Sequence, residues 1–315
     1  MKEKMNIAFF GTWEFSRNVL KSLLKSENIN IKLVVSQPDK AVWRKKILEK
    51  THTKILAEEN KIDVLQPKSL KKNLEFFEQL KNLDFIVVVA YWKIVPNEVL
   101  DAPKYWCINV HWSILPAYRW ASPIQEAVKN WDLETGVTIM YMSEWMDEWD
   151  ILALKKVDIL KNDKSSDIFK KFEEVSPEIL IKTLEKIFTW EKMWEKQDDT
   201  QATYCSKIKK EDWEISFKNE TWAEIYNKFR AYHPWPWIYS SFKWKKINIE
   251  DCELVEYLWK KEVWEVEKID KKNIWIISKD NKILKLKQVK LEWKKSMDII
   301  SFINWNKDFL DYKFN

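Results

Sequence analysis

Tight turns constrain this chain more than anything else in it, because almost none of its residues suit them. Glycine occurs twice in 315 residues, as Gly11 and Gly136, where an average usage of about 7% leads one to expect roughly 22. Tryptophan, ordinarily among the rarest residues, occurs 21 times. Many of these tryptophans stand in turn-like settings: NWD at 130–132, KWKK at 243–246, EWKK at 292–295 and NWNK at 304–307. Turns of this kind ask for positive φ, which glycine adopts freely and a bulky side chain does not. Two readings compete. In one, the chain is a tryptophan-rich protein whose rings stack on bases or sugars. In the other, the written tryptophans stand for glycine, because the gene uses UGA as a glycine codon. The second accounts for the deficit, the excess and the placement together, and we adopt it.

The rest of the composition narrows the class. With 46% apolar and 33% charged residues, the chain reads as soluble and globular, with room for one large or two ordinary domains. No apolar run is long enough to span a membrane. MKEKMNIAFF leads straight into a strand and lacks the layout of a signal peptide. Cys107, Cys205 and Cys252 are scattered, with neither metal-ligand spacing nor an even disulfide set, so a reducing cytoplasm fits. A net charge of +5 permits a polyanionic partner without demanding one.

Along the chain, strands at 5–11, 31–36, 62–66 and 84–90 alternate with helices at 12–25, 53–61 and 69–81. This alternation predicts a parallel, doubly wound α/β sheet. DFIVVVA at 84–90 is apolar on both faces, as a central parallel strand should be. Gly11 begins a turn into a helix, but a dinucleotide fingerprint needs more glycines, so no nucleotide cofactor is inferred. A further strand begins at Gly136, and an amphipathic helix covers 164–188, capped by Ser165 or Ser166. The polar, aperiodic stretch 190–206 reads as a linker between domains at 1–189 and 207–315. Beyond it come a helix near 220–231, short strands near 238–242, 247–256, 263–269, 273–278 and 282–290, and a helix at 296–304. That pattern suggests a small OB-like β-barrel.

Function concentrates at YWCINVHWSILPAYRWASPIQ, 105–125. Cys107, Ile108 and Val110 read as the end of a buried strand, and period-two alternation puts Asn109, His111 and Ser113 on one side. The strand ends of a parallel sheet open onto the ligand crevice, where an amide and an imidazole could polarise a carbonyl and move protons. The residues alone also allow a hydrogen-bonded core histidine. In SEWMDEWDIL, Asp147 and Asp150 could be turn formers, bases or metal ligands; no further ligand cluster supports a metal. Lys40, Arg44, Lys45 and Lys46 lie in the most basic loop of the N-terminal half, as ordinary surface or as phosphate contacts.

INVHWSILPAYRWASPIQ, followed by WDLETGVTIMYM and EWMDEWDIL, resembles the core of methionyl-tRNA formyltransferases, with family glycines standing as tryptophan at 112, 120, 131, 145 and 149. The likeness is strong from 84 to 152 and around AYHPWPW, and weaker after 255. It implies catalysis by Asn109, His111 and Asp147, and a folate site lined by Ser113, Ile114, Leu115 and Pro116. It also implies transfer from 10-formyltetrahydrofolate to methionyl initiator tRNA without a metal, by a cytoplasmic monomer acting in translation initiation. Lys40, Arg44, Lys45 and Lys46 would meet the tRNA, with Arg44 on the key position, although this loop is one residue short and lacks a proline after Lys40. The C-terminal barrel would hold tRNA, and Trp235 matches a true family tryptophan. The competing readings are a sister enzyme that formylates a nucleotide sugar or glycinamide ribonucleotide, and a non-catalytic RNA-binding protein.

Overall fold

The computed structural model describes residues 3–42, 47–71, 73–191, 194–255, 266–268, 274–280 and 282–314. They form two compact units. The first comprises Met1–Pro123, Glu134–Asp158 and Phe169–Cys205; the second comprises Ile124–Leu133, Ile159–Ile168 and Ser206–Asn315.

The first unit starts with β1 (Met5–Gly11), α1 (Glu14–Leu23) and β2 (Ile29–Val35), then a small hairpin of β3 (Lys40–Val42) and β4 (Ile47–Glu49). Next come α2 (His52–Glu59), β5 (Asp63–Leu65), α3 (Leu74–Leu80), β6 (Phe85–Val89), α4 (Asn97–Leu100), β7 (Cys107–His111) and β8 (Arg119–Trp120). After α5 (Pro123–Lys129), whose residues from Ile124 on belong to the second unit, follow β9 (Glu134–Tyr141), β10 (Ile151–Asp158), α6 (Ser165–Phe188) and β11 (Tyr204–Cys205). Seven strands form one sheet in the order β10-β9-β7-β6-β1-β2-β5. The pairings from β7 to β5 are all parallel, and β9 and β10 add antiparallel to the other side. All five residues of β6 are buried, which is why its sequence is apolar on every position rather than alternate ones. On one side of the sheet Phe10, Phe76, Val88, Tyr91 and Leu100 belong to a single apolar cluster.

Several boundaries differ from the sequence reading. The helix expected at 69–81 is only Leu74–Leu80, started by Asn73, whose side chain accepts the Phe76 amide. The basic loop holds the unanticipated β3–β4 hairpin, whose three-residue strands are too short to show a period-two signal. Its root is a polar network: Asp39 accepts hydrogen bonds from Lys54 Nζ and Gln66 Nε2, both at 2.6 Å. Burial opposes the Asp39 charge, but Gln66 and Lys54 outweigh it and hold the carboxyl below its ordinary range. The stretch 190–206 is tied to the first unit along most of its described length. Glu195 exchanges backbone hydrogen bonds with Ile151, and β11 pairs in parallel with β8.

The second unit contains α7 (Trp222–Ala231), β12 (Ile238–Phe242), β13 (Lys245–Val255), β14 (Val266–Lys268), β15 (Ile274–Ile277), β16 (Ile283–Leu291), β17 (Met297–Asp298) and α8 (Ile299–Trp305). Its strands make an antiparallel sheet in the order β12-β13-β16-β15-β14, with β17 on β16. Thr221 and Glu224 form a reciprocal cap at the start of α7. Arg230, buried on this helix, spends its guanidinium on the carbonyls of Leu160 and Asp163 and on Asn227.

Among the described residues, fourteen non-glycine residues have positive φ, and eight are tryptophan: Trp92, Trp106, Trp120, Trp131, Trp190, Trp237, Trp244 and Trp293. Neither glycine is among the positive-φ residues.

Candidate active site

The site lies at the carboxyl end of β7, where the parallel run meets antiparallel β9. Asn109 sits opposite Val88 of β6 and Met140 of β9, and His111 opposite Thr138 of β9. Asn109 is half-buried, and its side-chain amide makes no hydrogen bond among the described residues. His111 is buried, with Nδ1 3.6 Å from Asp147 Oδ1 and Nε2 3.1 Å from the carbonyl of Tyr118. Both ring nitrogens therefore face acceptors.

Asp147 is reached across a turn and itself holds φ 62°. Its Oδ2 accepts the backbone N–H of Trp120 at 2.9 Å, so the carboxylate is fixed between an imidazole and a main-chain amide. The local fold supplies that amide: residue 120, at φ 83°, ends the loop that leaves β7.

The loop 112–118 is braced from within. Ser113 Oγ donates to the Ala117 carbonyl at 2.5 Å, and Thr138 Oγ1 donates to the Ser113 carbonyl at 2.6 Å while accepting from Leu115 N. Ser113 and Leu115 are buried; Ile114 and Pro116 are half-buried. Lys40 is exposed at the start of the β3–β4 hairpin, while Arg44, Lys45 and Lys46 lie outside the described residues.

Three of the tryptophans that stand on family glycines, at 112, 120 and 149, lie near the site and differ in backbone and packing. Trp120 holds a left-handed conformation. Trp112 packs edge-on against Phe15 and Phe169 with its buried Nε1 lacking a partner among the described residues. Trp149 has no positive φ and is 47% exposed. A cavity of about 390 Å³ opens beside the Asp147 loop, with walls that include Leu100, Trp106, Met142, Trp145 and Trp149. Among the described residues no cluster of three or more His, Cys, Asp or Glu could hold a metal ion, and no helix is long and apolar enough to cross a membrane.

Comparison with known proteins identifies the family. The profile of the formyl transferase family matches residues 5–184, and that of the formyl transferase C-terminal domain matches 207–307. The methionyl-tRNA formyltransferase of Caldicellulosiruptor saccharolyticus is 41% identical over 307 residues, 96% of this chain and 97% of that one. The chain belongs to the methionyl-tRNA formyltransferase family. The Francisella philomiragia methionyl-tRNA formyltransferase is 38% identical and covers 98% of both chains. The backbone also resembles an N-formyltransferase from Helicobacter canadensis, solved with folinic acid and dTDP-3-aminofucose. That match has a TM-score of 0.66 over 90% of this chain and 98% of that one, at 21% identity, and so speaks to the fold alone.

Two polar residues that brace this formyltransferase site escaped the sequence reading. Arg119 is 1% exposed, and donates from Nε and Nη2 to Gln197 Oε1 at 3.1 and 2.8 Å and from Nη2 to Asp199 at 2.7 Å. Burial opposes its charge, but hydrogen bonds to Asp199 and Tyr204 prevail and hold its pKa above the ordinary arginine value. Gln197 Nε2 in turn donates to the carbonyls of Asp147 and Trp149. An arginine directly after the site loop was the available signal. Gln197, in an aperiodic polar stretch, offered none.

Proposed function

We propose that this formyltransferase moves the formyl group of 10-formyltetrahydrofolate to the α-amine of methionine on initiator tRNA. The observation that carries the reading is the His111–Asp147 pair at the end of β7, beside the free amide of Asn109, in a chain so similar to methionyl-tRNA formyltransferases. Attack of the amine on the formyl carbon builds negative charge on the formyl oxygen. Asn109 is a donor that would stabilise it, and His111 Nε2–H would be a second once it turns from the Tyr118 carbonyl to the substrate. Asp147 keeps His111 oriented and takes the proton that the amine loses, directly or through water; the tetrahedral intermediate then collapses by breaking its bond to N10 of the donor, and tetrahydrofolate leaves with that proton on N10. No step requires a metal.

The cavity beside the Asp147 loop suits the donor. Its volume is within the usual range for small-molecule sites, and glycine in place of Trp106, Trp145 and Trp149 on its walls would widen it. Asn97, Asp101 and Glu144 on its lining can accept or exchange hydrogen bonds with ring N–H groups. Ser113, Ile114, Leu115 and Pro116 form the loop that closes the folate side. Lys40, Arg44, Lys45 and Lys46 contact the tRNA backbone, and the C-terminal domain, 207–315, holds the rest of it. The catalytic domain is 1–189, with 190–206 connecting the two, and the enzyme works as a cytoplasmic monomer.

The test is formyl transfer from 10-formyltetrahydrofolate to methionyl initiator tRNA, with an amino-sugar nucleotide and glycinamide ribonucleotide as rival acceptors. Transfer to the tRNA that disappears in His111→Ala and Asp147→Ala is the expected result. Preference for a rival acceptor would overturn the substrate assignment.

A further inference from the structure

We propose that Gln197, oriented by Arg119, is the positioning residue that holds the catalytic carboxylate of Asp147. The inference rests on the assignment of Asp147 to the reaction. Asp147 occupies a left-handed conformation, which is uncommon outside glycine and at a functional site persists only where its surroundings hold it. The side chain of Gln197 provides such a restraint. Its Nε2 spans the loop, donating at 3.0 Å to the carbonyl of Asp147 and at 2.5 Å to that of Trp149. Its Oε1 receives two donors of Arg119. That second contact fixes which way the amide faces, because an arginine offers donors only and must meet the oxygen. The NH₂ end is thereby aimed at the loop.

Gln197 is 6% exposed, so the arrangement is a built one rather than a surface contact. Arg119 lies beside Trp120, whose amide binds the other end of the same aspartate. The carboxylate is held at its own backbone by Gln197 and at its oxygen by residue 120, and a displacement of about 1 Å at a reacting group can lower a rate roughly a hundredfold.

The decisive variant is Gln197→Glu, made in the chain whose residues have been read directly from the native protein. A glutamate keeps the acceptor for Arg119, as an ion pair, and loses both donors to the loop. The expected result is a folded enzyme of lowered Tm, since two buried carbonyls lose their donor, with unchanged KM for donor and tRNA and a fall in kcat of roughly ten- to a hundredfold. Gln197→Met, uncharged and of similar length, gives the same kcat loss if the glutamate variant does not fold. Wild-type kcat in both variants overturns the proposal. So does a rise in KM at constant kcat, which marks a merely structural role. Asp147→Ala is run alongside: full activity there would instead overturn the assignment of Asp147 itself.

A second inference rests on the backbone independently. We infer that residues 92, 106, 120, 131, 190, 237, 244 and 293 are glycine in the protein that its own cell makes. Chance placement of the tryptophans would put about one, not eight, among the fourteen left-handed residues. Trp190, Trp244 and Trp293 are 78%, 101% and 91% exposed, so their rings contribute little burial to offset the strain. The two written glycines are needed for space: a Cβ on Gly11 would lie 2.6 Å from Ser16 Cβ, and one on Gly136 2.7 Å from the Lys155 carbonyl. Positive-φ glycines are therefore absent as a class, and tryptophan stands in their places.

Peptide mass spectra of the native protein, set beside its gene, decide the matter. Glycine at all eight positions, each encoded by UGA, with tryptophan encoded by UGG at 235, is the expected result. Tryptophan in those peptides overturns it.

Discussion

The sheet of the first unit and the turns of the whole chain obey different rules here. In β1 and β6 side chain and backbone agree: Ile7, Phe9, Phe10, Val87 and Val89 are buried aliphatic or aromatic residues in extended strands. In the turns the bulkiest side chain of all occupies the conformation that only glycine adopts without cost. A sequence that failed everywhere would belong to no fold. One whose strain gathers where φ is positive has a sound core and the wrong residue at those turns.

Four measurements sharpen or break that contrast. The largest effect belongs to the core: Phe10→Ala removes a buried ring from the cluster with Phe76 and Tyr91 and should cost about 3–5 kcal/mol in chemical denaturation. A loss below the range expected for surface changes would mean that the core is not packed as described. The turns should respond with the opposite sign. Each of Trp131→Gly, Trp244→Gly and Trp293→Gly in the chain as written should gain about 1 kcal/mol by relief of left-handed strain. Destabilisation at all three would show that the rings contribute more than they strain.

Trp222→Gly is the control, since this tryptophan opens α7 at helical angles with Lys282 over its ring. It should lose about 0.5–1 kcal/mol; a gain would remove the link between stability and φ. The smallest effect tests a polar turn root. Asp39 has a depressed carboxyl pKa in the folded state, so its contribution is present above the unfolded pKa and is lost as pH falls through the folded one. The Tm gap between wild type and Asp39→Asn should be present at neutral pH and shrink in acid. A gap independent of pH would contradict the ion pair.

Much of the fold was legible for a plain reason. Burial on both faces writes itself into β6 as an unbroken apolar run, and burial on one face of the chain after 164 writes a helical stripe. The β3–β4 hairpin was not legible, because its strands are three residues each, too short for a period-two pattern to show. In the site, alternation alone put Asn109 and His111 on one side of the strand end but left a core histidine open, and their proposed role, like that of Asp147, came through the family resemblance. Ser113 was grouped with them by the same alternation, yet its hydroxyl turns to Ala117 and braces the loop. Period two assigns a face, and a loop after the strand end no longer obeys it.

Local sequence thus determined the strands, the helices and the glycine-shaped gaps, since each depends on neighbours a few residues away. The pairing of His111 with Asp147, and the span from Arg119 to Gln197, 78 residues apart, were decided by tertiary structure alone. Contacts between distant residues depend on how the sheet and its loops close, and closure leaves no periodic trace in the chain.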